Sequence, residues 1–230
     1  MEAEAIHGNT ARPGPEALHH LVDVLRLEPG ASVEVFDGKG SVWEATFAGG
    51  ELRLGPRRDA PVPGAVVWIA FALAKGEKAD LVVQKATELG AARLIPWRAE
   101  RSVMKLEGDR AQERARRWRR IAAEASRQCG RSEVPEVLAP VELEEVLRAP
   151  EGFARLALCG RGAPLSAVLE KGAAGFLAVA GPEGGMTEGE IETCLGSGFR
   201  LASIGPRVLR AETAALAAAA LIQHLAGDLG

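Results

Sequence analysis

The chain has 230 residues, 47% of them apolar and 26% charged, with a formal net charge of −3. That size allows one large domain or two small ones with a real core. No apolar run approaches the roughly 18 residues of a membrane span, and so small a net charge argues for no partner by itself. The polar, acidic opening Met1–Ala17 does not read as a secretory signal, so a cytoplasmic protein without membrane attachment is expected. Cys129, Cys159 and Cys194 are odd in number, widely spaced and in no zinc pattern, which predicts buried free thiols. His7, His19, His20 and His224 show no metal spacing, so no metal is expected.

In chain order, residues 1–16 lack apolar periodicity and predict an extended or mobile segment. Leu18, Leu21, Val22 and Leu25 recur at helical spacing and predict a helix over Glu16–Leu27. Ser32–Phe36 alternates like a half-buried strand, Asp37–Gly40 supplies a turn, and Val42–Phe47 and Leu52–Leu54 predict further short strands. The first 60 or so residues thus predict a small β-barrel with one helix, and Arg57–Gly64 reads as a linker. From Val66 the pattern changes. Val66–Leu73 is the continuous apolar run of a strand buried on both faces. Lys78–Leu89 predicts a helix, Arg93–Trp97 a strand and Asp109–Gln128 one long helix. Short strands at Val137–Leu138 and Leu156–Cys159 flank a helix near Leu143–Leu147, and Pro164–Lys171 predicts another helix. Alternating strands and helices imply an α/β fold with a largely parallel sheet.

The C-terminal third carries the clearest chemistry. Two apolar runs, Phe176–Ala180 and Leu201–Ile204, each end in Gly-Pro and lead into a helix. Ligands gather at the carboxyl ends of strands in such sheets. After the first run, Gly181-Pro182-Glu183-Gly184-Gly185 forms a permissive loop, and Thr187 with Glu190 makes a capping box that starts a helix near Glu188. No G-x-x-x-x-G-K-[ST] or strand-following G-x-G-x-x-G occurs, and Glu183 would repel a phosphate. A neutral or cationic ligand held by backbone groups suits this loop better. After the second run, Arg207, Arg210 and Glu212 precede the apolar helix Thr213–Leu225, which predicts burial all round. Arg210 near a helix N-terminus is unfavourable and calls for an acidic neighbour: Glu212, Glu183 or a ligand. Leu158-Cys159-Gly160 ends a third apolar run, and three such ends in one sheet predict one pocket.

Charge is unevenly spread. Residues 93–131 carry twelve basic against five acidic residues, whereas residues 132–230 carry seven against thirteen. On the long helix, Ala111, Ala115, Trp118, Ala122 and Ala125 fall on one side, which predicts the packed face. Arg116, Arg120, Arg127 and Arg131 share a stripe beside a second one of Arg110, Arg114 and Arg117. With Arg98, Arg101 and Lys105 this belt has few interleaved acids, and phosphate binding is the better reading.

Further pieces in order carry a family resemblance: His19-His20-Leu21 with Val24-Leu25-Arg26, Val35–Gly40, Gln84–Gly90 with Ile95-Pro96, Glu100-Arg101-Ser102, and Arg117-Trp118 with Ile121–Ala125, Gln128, Arg131 and Pro135. Gly181–Gly185 and Val208-Leu209-Arg210 with Glu212-Thr213-Ala214 complete the set. The chain resembles the RsmE family of ribosomal RNA methyltransferases, within the knotted SPOUT class; Met1–Ala17 departs from that family's Arg-Arg-Phe-like opening. The resemblance implies a PUA-like RNA-binding domain at 1–64 and an α/β SPOUT methyltransferase domain with a parallel sheet and a deep trefoil knot at 65–230. It also implies a homodimer that binds S-adenosyl-L-methionine and methylates N3 of a uridine in 16S ribosomal RNA, as part of the small subunit. The expected cofactor residues are Leu158, Cys159, Gly160, Gly181, Pro182, Glu183, Gly184, Gly185, Ile204, Gly205, Val208, Leu209, Arg210 and Thr213. Arg210, Glu183 and Glu212 are the expected catalytic residues. Arg98, Arg101, Lys105, Arg116, Arg117, Arg120, Arg127 and Arg131 are the expected RNA contacts. A SPOUT enzyme for another RNA, or a non-catalytic RNA-binding or ribosome-assembly protein, are the alternatives.

Overall fold

A computed structural model describes residues 6–59, 63–73, 77–102, 104 and 106–229. It divides into two compact units, Met1–Val62 with Ser126–Val134, and Pro63–Ala125 with Pro135–Gly230. Among the described residues no helix is long and apolar enough to cross a membrane.

The first unit is a five-stranded antiparallel sheet in the order β1-β2-β5-β4-β3. Its strands are β1 (Ile6–His7), β2 (Thr10–Ala11), β3 (Ser32–Phe36), β4 (Ser41–Phe47) and β5 (Leu52–Asp59). Ala11, Val35, Ala45, Phe47, Leu52 and Leu54 form its core. Three expectations change. Residues 6–11 are a small hairpin, not an extended or mobile segment, because Gly8 takes the left-handed turn conformation with φ +58°. Arg57–Asp59 belong to β5, not to a linker, and the remaining linker residues 60–62 lie outside the described residues. Two residues, Gly55 and Pro56, oppose Glu44 alone; this bulge accommodates the proline and lets pairing resume from Trp43↔Arg57 to Ser41↔Asp59. The predicted helix Glu16–Leu27 is α1 (Pro15–His19) followed by a π-helical turn over His20–Val24. Its wide bonds, Leu25 N–H to His20 O and Leu27 N–H to Leu21 O, let Leu18, Leu21 and Leu27 all pack on the sheet.

The second unit is a six-stranded parallel sheet in the order β11-β9-β10-β6-β7-β8. The strands are β6 (Val67–Ala72), β7 (Arg93–Trp97), β8 (Glu136–Val137), β9 (Phe153–Pro164), β10 (Gly175–Ala180) and β11 (Arg200–Ser203). The helices are α2 (Lys78–Glu88), α3 (Gly108–Cys129, running on into the segment grouped with the first unit), α4 (Leu143–Val146), α5 (Leu165–Val168), α6 (Glu188–Gly196) and α7 (Ala211–Ala226). Alternate residues of the central strands serve two cores, one on each face of the sheet. Val67, Ile69, Phe71, Phe176, Ala178 and Ala180 pack against α2, α3 and α7. Ala70, Ala72, Leu177 and Val179 pack with Ile191 and Cys194 of α6 and Leu143 and Val146 of α4. This explains why β6 and β10 read as unbroken apolar runs.

On α3 the predicted packed face is the buried one: Ala111, Ala115, Trp118, Ala122 and Ala125 are all at most 5% exposed. Helix α7 is less enclosed than its composition predicts. Ala211, Ala215, Ala218, Ala219, Ile222 and Gln223 are buried, but Leu221 and Leu225 are exposed on its other side. Of the thiols expected to be buried, only Cys194 is; burial pushes it up to about 11. Cys129 is exposed as the last residue of α3, and Cys159 is half-buried.

Candidate active site

The carboxyl ends of β9, β10 and β11 converge on one cleft of about 210 Å³. Each wall has a local cause. Helix-ward of β10, Gly181 turns the chain so tightly that a Cβ there would lie 2.9 Å from the Met186 side chain, and Gly185 takes φ +72°. Thr187 Oγ1 accepts from Glu190 N–H while the Glu190 carboxylate accepts from Thr187 N–H, so α6 starts as the capping box predicts. Strand β9 makes the second wall by leaving its partner. Ala157 pairs with Leu201 and Ala163 with Ala202, so residues 158–162 stand out of the ladder. Gly162 permits the return: a Cβ there would fall 2.5 Å from the Leu201 carbonyl carbon. The third wall is the segment from Ala202 to Leu209, ahead of α7.

Eleven of the fourteen expected cofactor residues line this cleft: Leu158, Cys159 and Gly160; Gly181, Pro182, Glu183 and Gly185; Ile204, Gly205, Val208 and Leu209. The other three do not. Gly184 turns its carbonyl to Arg101 Nη1 at 3.0 Å. Arg210 is the exposed N-cap residue of α7, and Thr213 is exposed on its first turn. Met186, Ala202, Ser203, Pro206, Arg207, Ala211 and Ala214 also line the cleft.

Lys78 was missed altogether. Its ammonium donates to Glu183 Oε1 at 2.6 Å and lies 3.6 Å from Glu212 Oε2. The Glu183 carboxyl is held below its ordinary range, first by the Lys78 hydrogen bond, and the Lys78 ammonium is raised in turn, first by Glu183. The sequence held one signal for it. A cation on the first residue of a helix opposes the dipole, the same reasoning that singled out Arg210. Arg161, on the jog of β9, pairs with Glu188 at 2.5 Å, so the glycine loop is tied to its surroundings at Glu183, Gly184 and Glu188.

The basic belt divides. Arg98 is committed inside the fold, to Glu142 at 2.6 Å and to the carbonyls of Pro140 at 2.7 Å and Leu106 at 3.2 Å. Arg117 clasps Asp80 at 2.7 and 2.9 Å, and the same carboxylate accepts from Trp118 Nε1 at 2.9 Å. These two side chains anchor secondary structure, Arg117 while its side chain stays 51% exposed and Arg98 while only 24% of its own is. Arg101 is exposed and bonded to Gly184. Arg116, Arg120 and Arg127 are exposed on α3, and Arg131 is partly buried, which depresses its guanidinium below the usual range through desolvation. Lys105 lies outside the described residues.

A parallel sheet with a backbone-walled cleft at three strand ends defines an α/β small-ligand enzyme, and comparison with known proteins narrows the class to RNA methyltransferases. Residues 62–223 match the family model of the RNA methyltransferase domain, and residues 13–51 match that of the RNA methyltransferase PUA domain. Ribosomal RNA small subunit methyltransferase E of Bacillus subtilis is 34% identical over 228 residues, 91% of this chain and 88% of that protein. The Synechocystis protein of that name is 36% identical over 221 residues, 90% and 71% of the two chains. The Neisseria gonorrhoeae structure of that name, bound to S-adenosyl methionine, superposes with a TM-score of 0.87 at 30% identity, covering 96% of this chain and 94% of its own. The chain belongs to the ribosomal RNA small subunit methyltransferase E family.

Proposed function

We propose that this chain transfers a methyl group from S-adenosyl-L-methionine to N3 of a uridine in 16S ribosomal RNA of the small subunit. In this reading it works in the cytoplasm as a homodimer, with residues 1–64 as a PUA-like RNA-binding domain and residues 65–230 as a knotted SPOUT domain. The observation that carries the reading is the single cleft formed by three strand ends in a member of this family.

The residues present fit the cofactor. At Gly160, Gly185 and Gly205, which line the cleft, an added Cβ would meet no atom within 4 Å. No side chain crowds those backbones, so their N–H and C=O groups are open to a neutral adenine and ribose. Glu183 sits on the rim where phosphate would be repelled and a sulfonium would not. When bound, the cofactor supplies an electrophilic methyl group. The chain's own task is positioning. Arg210, exposed beside the cleft wall, would stabilise the anion left when uracil N3 loses its proton, and Glu212, with its side chain 11% exposed, is the carboxylate proposed to take that proton.

Mass spectrometry of 16S ribosomal RNA from cells with and without the gene tests the reading; loss of one methyluridine is expected, and an unchanged RNA refutes it. Gly160→Val tests the cleft. Gly160 has no left-handed φ, so the chain should fold and melt as the parent does. The new side chain would occupy the cleft and weaken S-adenosyl-L-methionine binding by about a hundredfold, as measured by calorimetry. For RNA, Arg116 and Arg120 lie one helical turn apart on the exposed face of α3. The double variant Arg116→Ala, Arg120→Ala should lower the slope of log K against log salt by about 1.5 to 2 and leave cofactor affinity unchanged.

A further inference from the structure

Lys78 stands where helix electrostatics disfavours it, on the first residue of α2. Its surroundings explain its position from two sides. Two residues along, Asp80 fixes the same helical turn to α3 through Trp118 Nε1 and the Arg117 guanidinium. From that anchored turn the Lys78 side chain, 34% exposed, reaches Glu183 at the tip of the glycine loop and Glu212 at the start of α7. Glu212 Oε2 is buried without a hydrogen bond, so the ammonium at 3.6 Å is the charge that offsets it. The three groups sum to one negative charge beside the cleft.

We propose that Lys78 is a positioning residue that sets the Glu183 carboxylate on the cleft rim as the counter-charge of a cationic, sulfonium ligand. The inference rests on reading the cleft as the S-adenosyl-L-methionine site. Its sign separates it from a simple charge effect. Were only net charge at work, removing the Lys78 ammonium would make the rim more negative and tighten a cation. Were Lys78 placing the carboxylate, removing it would release Glu183 from the rim and weaken the cation selectively.

Calorimetry of the full chain with S-adenosyl-L-methionine, and separately with its neutral thioether S-adenosylhomocysteine, reads the difference. Lys78→Met should weaken the sulfonium ligand about tenfold and the thioether by less than about twofold. Lys78→Arg should restore most of the loss, and Lys78→Met should have no further effect in a Glu183→Gln background. Unchanged or tighter sulfonium binding in Lys78→Met, or equal losses for the two ligands, overturns the proposal. If the parent chain binds neither ligand, the cleft reading falls and this inference with it. Melting curves accompany each variant, and if Lys78→Met does not fold, Lys78→Gln is read by the same ratio of affinities.

Discussion

Arg210→Ala is expected to lower kcat by about a hundredfold to a thousandfold while S-adenosyl-L-methionine affinity stays within about twofold of the parent. Arg210 does not line the cleft; it N-caps α7 with extended backbone and makes no side-chain cap bond, so its removal leaves the cofactor walls standing. In the proposed mechanism its charge acts when a uridine anion develops beside it. An equal loss in affinity and turnover would instead make Arg210 a ligand-binding group. Arg210→Lys keeps the charge but not the planar fork, and should recover only part of the rate.

Trp118→Ala is expected to destabilise the second unit by about 4 kcal/mol. The indole is fully buried, meets the Phe71 ring edge-on with centroids 6.4 Å apart, and donates to Asp80 at 2.9 Å. Truncation opens a cavity between α3 and the sheet and deprives a carboxylate that is itself 8% exposed of one of its donors. Asp80→Asn, which keeps shape and an acceptor but drops the charge, should cost about 1 to 2 kcal/mol. Urea denaturation followed by far-ultraviolet circular dichroism orders the two; a loss for Trp118→Ala no larger than for Asp80→Asn would mean that the indole is held by its hydrogen bond more than by packing.

The sequence was readable where the cause is local. Thr187 and Glu190 announce the start of α6 because both halves of the capping box lie within one turn. The buried face of α3 was readable because alanine and tryptophan recur at helical spacing among arginines. It was unreadable where a distant partner decides. Arg57–Asp59 have the composition of a linker and become a strand because β4 supplies the ladder. The jog in β9 exists because β11 pairs on both sides of residues 158–162. Arg98 and Arg117 look like free cations until Glu142 and Asp80 are brought to them from other elements. Lys78 meets Glu183 across 105 positions of sequence, which no spacing rule can anticipate.

The pairing of β6 with β10 has a consequence for how the molecule comes into being. Roughly a hundred residues separate the two strands, so at translation speeds of about 5–20 residues per second β6 waits about 5–20 seconds for its neighbour. During that wait a bare, apolar strand edge faces solvent. The early hairpins of the first unit need no such delay. Maturation should therefore be stepwise, with the methyl-transfer pocket closing last, and slow codons or a chaperone acting between β8 and β10 should govern the yield of active protein more than any substitution on the surface.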